Sequence, residues 1–155
     1  MLKLTLITVG RLKDGFYREA QAHYVKLLGG FCDLEIVEVT DEPITGNDPD
    51  KIIAKESAKL EALIRPDALN VALDPTGKEY GSPEFSAWLM GNKDTGQHIR
   101  LFVGGPYGLS RDFFVQCDQS ISLSKLTFPH QLARIVLLEQ LYRGFTIGEG
   151  RKYHY

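Results

Sequence analysis

Apolar and polar residues alternate from the start of the chain. The run Met1-Leu2-Lys3-Leu4-Thr5-Leu6-Ile7-Thr8-Val9-Gly10 has the period of a strand. Strand-like runs recur at residues 31–39, 69–74, 99–103 and 121–123, with helical patterns between them. That alternation predicts an α/β fold, a mainly parallel sheet flanked by helices. A first helix from about Asp14 is expected to end at Gly29-Gly30, residues that tolerate a left-handed cap. A second starts at Asp48-Pro49, with Asp as N-cap and Pro in the first helical position, and Ser82-Pro83-Glu84 repeats the device for a third. Ser110 caps a short helix through Cys117. The last helix starts at Pro129 and sets Leu132, Ile135, Val136, Tyr142 and Phe145 at helical spacing. It also carries Leu137, Leu138 and Leu141, more apolar surface than packing on one side of a sheet requires. Either it is deeply buried or it meets a second copy of itself.

With 155 residues, 43% of them hydrophobic, the chain fits one domain spanning 1–155 with a substantial core. The first ten residues lack the charged head and long apolar centre of a signal peptide, and no run is long enough to span a bilayer. Cys32 and Cys117 stand alone, without zinc or disulfide spacing, so a reducing cytoplasm is the expected compartment. The net charge of −2 argues against a general nucleic-acid binder that works by neutralising phosphates. Its distribution is uneven: seven acids and no Lys or Arg lie between Phe31 and Asp50, whereas Lys125 to Tyr155 holds five bases against two acids. An anionic partner would meet that C-terminal third, unless these are ordinary solvated charges.

Candidate chemistry concentrates late in the chain. Leu73-Asp74-Pro75-Thr76-Gly77-Lys78 resembles a phosphate loop but has Ala72 at the leading glycine position and Glu79 where a magnesium-binding hydroxyl is needed. Leu73 and Asp74 nevertheless fall at the carboxyl end of a strand, where open sheets place ligands. Gly104-Gly105-Pro106-Tyr107-Gly108 follows another strand and permits close backbone approach to a ligand. His23, His98, His130 and His154 show no metal-ligand spacing, so no metal is expected.

Taken in order, Val103-Gly104-Gly105-Pro106-Tyr107-Gly108-Leu109-Ser110, Leu123-Ser124-Lys125-Leu126-Thr127-Phe128-Pro129-His130, Arg134 to Leu141-Tyr142-Arg143, and Tyr153-His154 resemble the bacterial ribosomal large-subunit pseudouridine methyltransferases. These form a small member type of the SPOUT class, and the resemblance covers essentially the whole chain.

The resemblance implies an α/β sheet whose C-terminal segment forms a deep trefoil knot, against the general rule that chains do not thread loops. It implies transfer of a methyl group from S-adenosylmethionine, without metal, to N3 of a pseudouridine in the helix 69 loop of 23S rRNA, on assembled ribosomes and by a cytoplasmic homodimer. Carried over by position, the cofactor contacts are Leu73, Gly104, Leu123, Ser124, Lys125, Leu126, Thr127 and Phe128. The imide N–H of pseudouridine must lose its proton, so a base or a cation is required near the methyl group. His154 is the expected base, Tyr153 a stacking or proton-relaying group, and Arg143 or Arg134 the positive partner. His130 is either part of the site or structural at the start of its helix. The family commonly ends in Tyr-His followed by Lys or Arg, whereas this chain ends in Tyr155, with Arg151 and Lys152 just upstream. Two other functions fit the same motifs less fully: a ribosome-binding factor that has lost the cofactor, and a SPOUT enzyme aimed at tRNA.

Overall fold

The computed structural model describes residues 1–46 and 48–152. Five strands, β1 (Leu2–Val9), β2 (Cys32–Val39), β3 (Leu69–Glu79), β4 (Ile99–Val103) and β5 (Gln119–Ser122), form one sheet in the order β2-β1-β4-β3-β5. Every pairing is parallel. Helices α1 (Gly15–Leu28), α3 (Ser82–Asp94) and α5 (His130–Gly148) pack together on one face, while α2 (Pro49–Glu61) and α4 (Arg111–Gln116) cover the other. Because strand side chains alternate, Leu2, Leu4 and Leu6 join α5 in the larger core, while Ile7 and Val9 pack with Leu60 and Phe113 in the smaller one.

Helix α5 runs through the larger core: Leu137, Leu138, Leu141 and Phe145 are at most 1% exposed. Burial thus accounts for the excess apolar surface at these positions. Leu132 and Val136, one turn apart, are only half-buried and belong to neither core.

Several local expectations need correction. Gly29 is right-handed (φ −58°) and Gly30 has no positive φ; buried Leu28 and Phe31 fix the turn instead, with Phe31 N–H donating to the Leu28 carbonyl at 2.9 Å. At α3 the N-cap is Gly81, and Ser82 is already helical. Asp48 and Ser110 do cap their helices, accepting from the N–H groups of Asp50 and Phe113.

Strand β3 continues beyond Asp74. Leu73 and Lys78 both pair with Ile121, so residues 74–77 leave the sheet and return around β5. A Cβ on Gly77 would lie 2.7 Å from the backbone N and C of Ile121, an approach only glycine permits.

Candidate active site

A cavity of about 320 Å³ opens at the mid-strand break of β3 and the carboxyl ends of β4 and β5, where three segments converge on the start of α5. The β3 loop contributes Leu73, Asp74 and Pro75. The β4 loop brings Val103 and Gly104 to Gly108, and the β5 loop Leu123, Ser124, Leu126, Thr127 and Phe128. His130 and Ala133, one turn apart on α5, complete the lining.

Each loop is shaped by local chemistry. Asp74 accepts from the Thr76 N–H at 2.9 Å and also from the Thr76 hydroxyl, closing a tight turn. The β4 loop is pinched: Gly108 N–H donates to the Gly105 carbonyl at 3.0 Å, and Gly108 takes a φ of +82°. A Cβ on Gly104 would stand 2.7 Å from the Gly108 carbonyl carbon, so the loop closes only over a bare backbone. Beyond β5, the Ser122 hydroxyl donates to the Ser124 carbonyl at 2.9 Å and the Ser124 hydroxyl accepts from Leu126 N–H at 3.0 Å.

Helix α2 braces the glycine loop from behind. Ser57 Oγ accepts from Ser110 N–H at 3.1 Å, and Glu56, 1% exposed, accepts from Glu42 N–H at 3.1 Å. The other Glu56 oxygen has no hydrogen-bond partner among the described residues and would lie 2.6 Å from a Cβ on Gly105. Burial pushes this carboxyl above the usual glutamate range. A raised folded-state pKa means that the group's stabilising contribution is complete below the unfolded pKa and is lost as pH rises through the folded one. Glu56→Gln is therefore expected to raise the thermal midpoint at neutral pH and to flatten that loss; a lowered midpoint at neutral pH would contradict the assignment.

Seven of the eight sequence-predicted cofactor contacts line the cavity: Leu73, Gly104, Leu123, Ser124, Leu126, Thr127 and Phe128. Lys125 does not; its side chain is 84% exposed and lies 3.7 Å from Glu79. His130 does line the cavity, and its imidazole is held below the ordinary histidine range, first by burial and then by the Arg134 charge.

The two arginines separate. Arg134 is 1% exposed, with its guanidinium donating to the Gly10 carbonyl (2.9 Å), Glu38 (2.6 Å) and Gln21 (3.2 Å). It ties α5 to β1, β2 and α1, and this internal role corrects the expectation that it meets substrate. Arg143 is half-buried and paired with Glu139 at 2.6 Å, ten residues beyond Ala133 and so roughly 15 Å further along the helix axis. It does not line the cavity of its own chain. Tyr153 and His154 lie outside the described residues.

Sequence reasoning singled out the loops but missed Ala133 and Pro75. Ala133 had a readable signal, its i,i+3 relation to His130; Pro75 had only its place after Asp74. Burial pushes the thiols of Cys32 and Cys117 up to about 12, which leaves neither suited to nucleophilic work. Among the described residues no cluster of three metal-ligating side chains occurs, and no helix is long and apolar enough to cross a membrane.

Parallel strands that end in a glycine loop beside an apolar slot define an α/β protein with a cavity where open sheets place ligands. A family model described as "Predicted SPOUT methyltransferase" matches residues 2–154, and the chain belongs to that family. It is 43% identical to a "Ribosomal RNA large subunit methyltransferase H" of Bifidobacterium adolescentis, with 99% of each chain covered. A protein of the same name from Clostridium beijerinckii is 38% identical, again over 99% of each. Among solved structures, a probable methyltransferase of Bordetella pertussis Tohama I shares the fold, with TM-score 0.59, 16% identity, and 93% of this chain and 95% of that one covered.

Proposed function

We propose that this protein uses S-adenosylmethionine to methylate N3 of a pseudouridine in the helix 69 loop of 23S rRNA, acting in the cytoplasm on assembled ribosomes. The observation that carries the reading is the coincidence of the cavity with seven of the eight positions matched to the family's cofactor contacts. The cradle also fits the ligand. Leu73, Leu123 and Phe128 offer an apolar slot of the kind adenine needs, and Gly104 and Gly105 let the loop close tightly on Gly108 and against Glu56, so that its backbone lines the cavity. When bound, the cofactor supplies an electrophilic sulfonium methyl group.

What remains for the chain is alignment and proton management. The β4 and β5 loops fix the ligand's orientation through their bent backbones, and Leu123 and Phe128 exclude water from its apolar end. The target's imide N3 must give up its proton to act as a nucleophile, so a group beside it must accept that proton. His154 is assigned as that base, with Tyr153 stacking on or relaying from the target ring and Arg143 stabilising its negative charge.

Arg143 sits too far along α5 to serve its own cavity, so the assignment requires a homodimer in which the partner's Arg143 and C-terminal tail complete the site. Half-buried Leu132 and Val136 supply apolar surface for such a contact. The family's knotted threading belongs to the same proposal; its support is the tight passage of Gly77 around the β5 backbone.

Deleting residues 153–155 is expected to leave S-adenosylmethionine affinity within about twofold while ribosome methylation falls by at least about a hundredfold, on the scale of losing a positioned general base. Calorimetry and methyl transfer measured on one preparation check this. His154→Ala alone is expected to flatten the acidic limb of the pH–rate profile. A parental rate and profile in that variant would leave Arg143 as the stronger catalytic candidate.

A further inference from the structure

Where β1 ends, the chain leaves the sheet at Gly10 (φ +77°) and crosses Arg11-Leu12-Lys13-Asp14 into α1. This turn is held firmly. Leu12 is buried, Arg18 Nη1 donates to the carbonyls of Leu12 (3.2 Å) and Lys13 (2.8 Å), and Lys13 N–H donates to Gln131 Oε1 at 3.0 Å. Gln131 follows the cavity-lining His130, so the turn is tied to α5 one residue beyond the cavity lining. The Lys13 ammonium also contributes to holding the His130 imidazole below its ordinary range, an independent sign of that proximity.

The turn presents a distinctive surface to solvent. Phe16 is 65% exposed, its ring centroid 4.5 Å from that of Tyr17. Arg11 and Lys13 are exposed, and neither forms an ion pair among the described residues. The acids near the turn include Asp14, at the N-cap of α1, Asp41, beside Gly10, Glu38, whose partner Arg134 also holds the Gly10 carbonyl, and exposed Glu19, one helical turn past Phe16. Neither core includes the exposed Phe16 ring, and an exposed aromatic ring on the same turn as two cations without ion pairs has the composition of a stacking platform for single-stranded nucleic acid.

We propose that Arg11, Lys13 and Phe16 form a docking site for an rRNA nucleotide flanking the target, its base stacked on Phe16 and its phosphates met by Arg11 and Lys13. The proposal rests on the reading of the protein as an rRNA methyltransferase and adds a recognition surface that the cofactor cavity does not contain. A second copy of the chain suits this surface less well, because a two-fold contact centred on Phe16 would bring Arg11 and Lys13 against their own counterparts. A single-stranded loop supplies both the flat base and the negative charge.

The test is co-sedimentation with ribosomes across a salt series, with methyl transfer, S-adenosylmethionine affinity and sedimentation velocity measured on the same preparations. Phe16→Ala is expected to weaken ribosome binding about tenfold, in the range of one lost base stack, and Phe16→Trp to restore it. Arg11→Glu with Lys13→Glu is expected to weaken binding further and to reduce the salt slope by about two, one for each lost phosphate contact. Cofactor affinity and sedimentation are expected to stay at parental values throughout. Ribosome affinity within twofold of the parent in both variants would overturn the proposal, as would a shift of Phe16→Ala to a smaller species, which would assign the surface to a second copy. A parent that binds ribosomes through this surface without methylating them would keep the docking site and sink the reaction assignment. A parent that binds no ribosomes would overturn both.

Discussion

Gly104→Val is expected to abolish measurable S-adenosylmethionine binding, with at least about a hundredfold loss of affinity, near 3 kcal/mol. The new Cβ would stand 2.7 Å from the carbonyl carbon of Gly108 and 2.9 Å from its oxygen. Both are backbone atoms, so neither can move aside as the end of a flexible side chain would. The two limbs of the loop must separate, breaking the Gly108-to-Gly105 hydrogen bond that pinches it. Gly108→Ala provides the contrast: that position faces open space, and its cost is confined to placing an L-residue at φ +82°, about 1–2 kcal/mol. Calorimetric titration of both variants separates lost space from backbone strain. Parental affinity in Gly104→Val would remove the loop from the cofactor site.

Arg134→Ala is expected to destabilise the fold by about 3 kcal/mol, the lower end of the range for breaking a buried ion pair. The lower end applies because Glu38 is 39% exposed and can be rehydrated once its partner is gone. The Gly10 carbonyl also loses its donor, which loosens the join between β1 and α5. Arg143→Ala, which removes a pair within one helix, is expected to cost less than about 1 kcal/mol while sharply reducing turnover. Urea unfolding of the two variants, set beside their methylation rates, checks this division between an arginine that holds the fold and one assigned to chemistry. Equal destabilisation by both would contradict it.

The sheet was readable from short apolar-rich runs separated by helical patterns: β1 and β4 appear within their expected limits although helices bury both of their faces, which leaves only a weak two-residue period. The end of β3 was not readable. Pro75, Thr76 and Gly77 signal a turn, which they form, but the return to pairing at Lys78 depends on β5, more than forty residues later. The cap at Gly29 failed because a glycine reports what the backbone tolerates, whereas burial of Leu28 and Phe31 decided the turn. The cavity was legible only through the ordered motifs, since its three loops are far apart in sequence and converge because their strands are neighbours. Arg134 illustrates the opposite limit: a lone base in an apolar helix looks the same in sequence whether it faces a phosphate or a buried glutamate.

The methylation assignment is decided by incubating the purified protein with S-adenosylmethionine and ribosomes from a strain lacking its gene, then mapping the RNA by mass spectrometry. The expected product carries a single methyl group at N3 of a pseudouridine in the helix 69 loop of 23S rRNA, with no transfer to tRNA. Transfer to tRNA, or cofactor binding without transfer to any site on the ribosome, would contradict it.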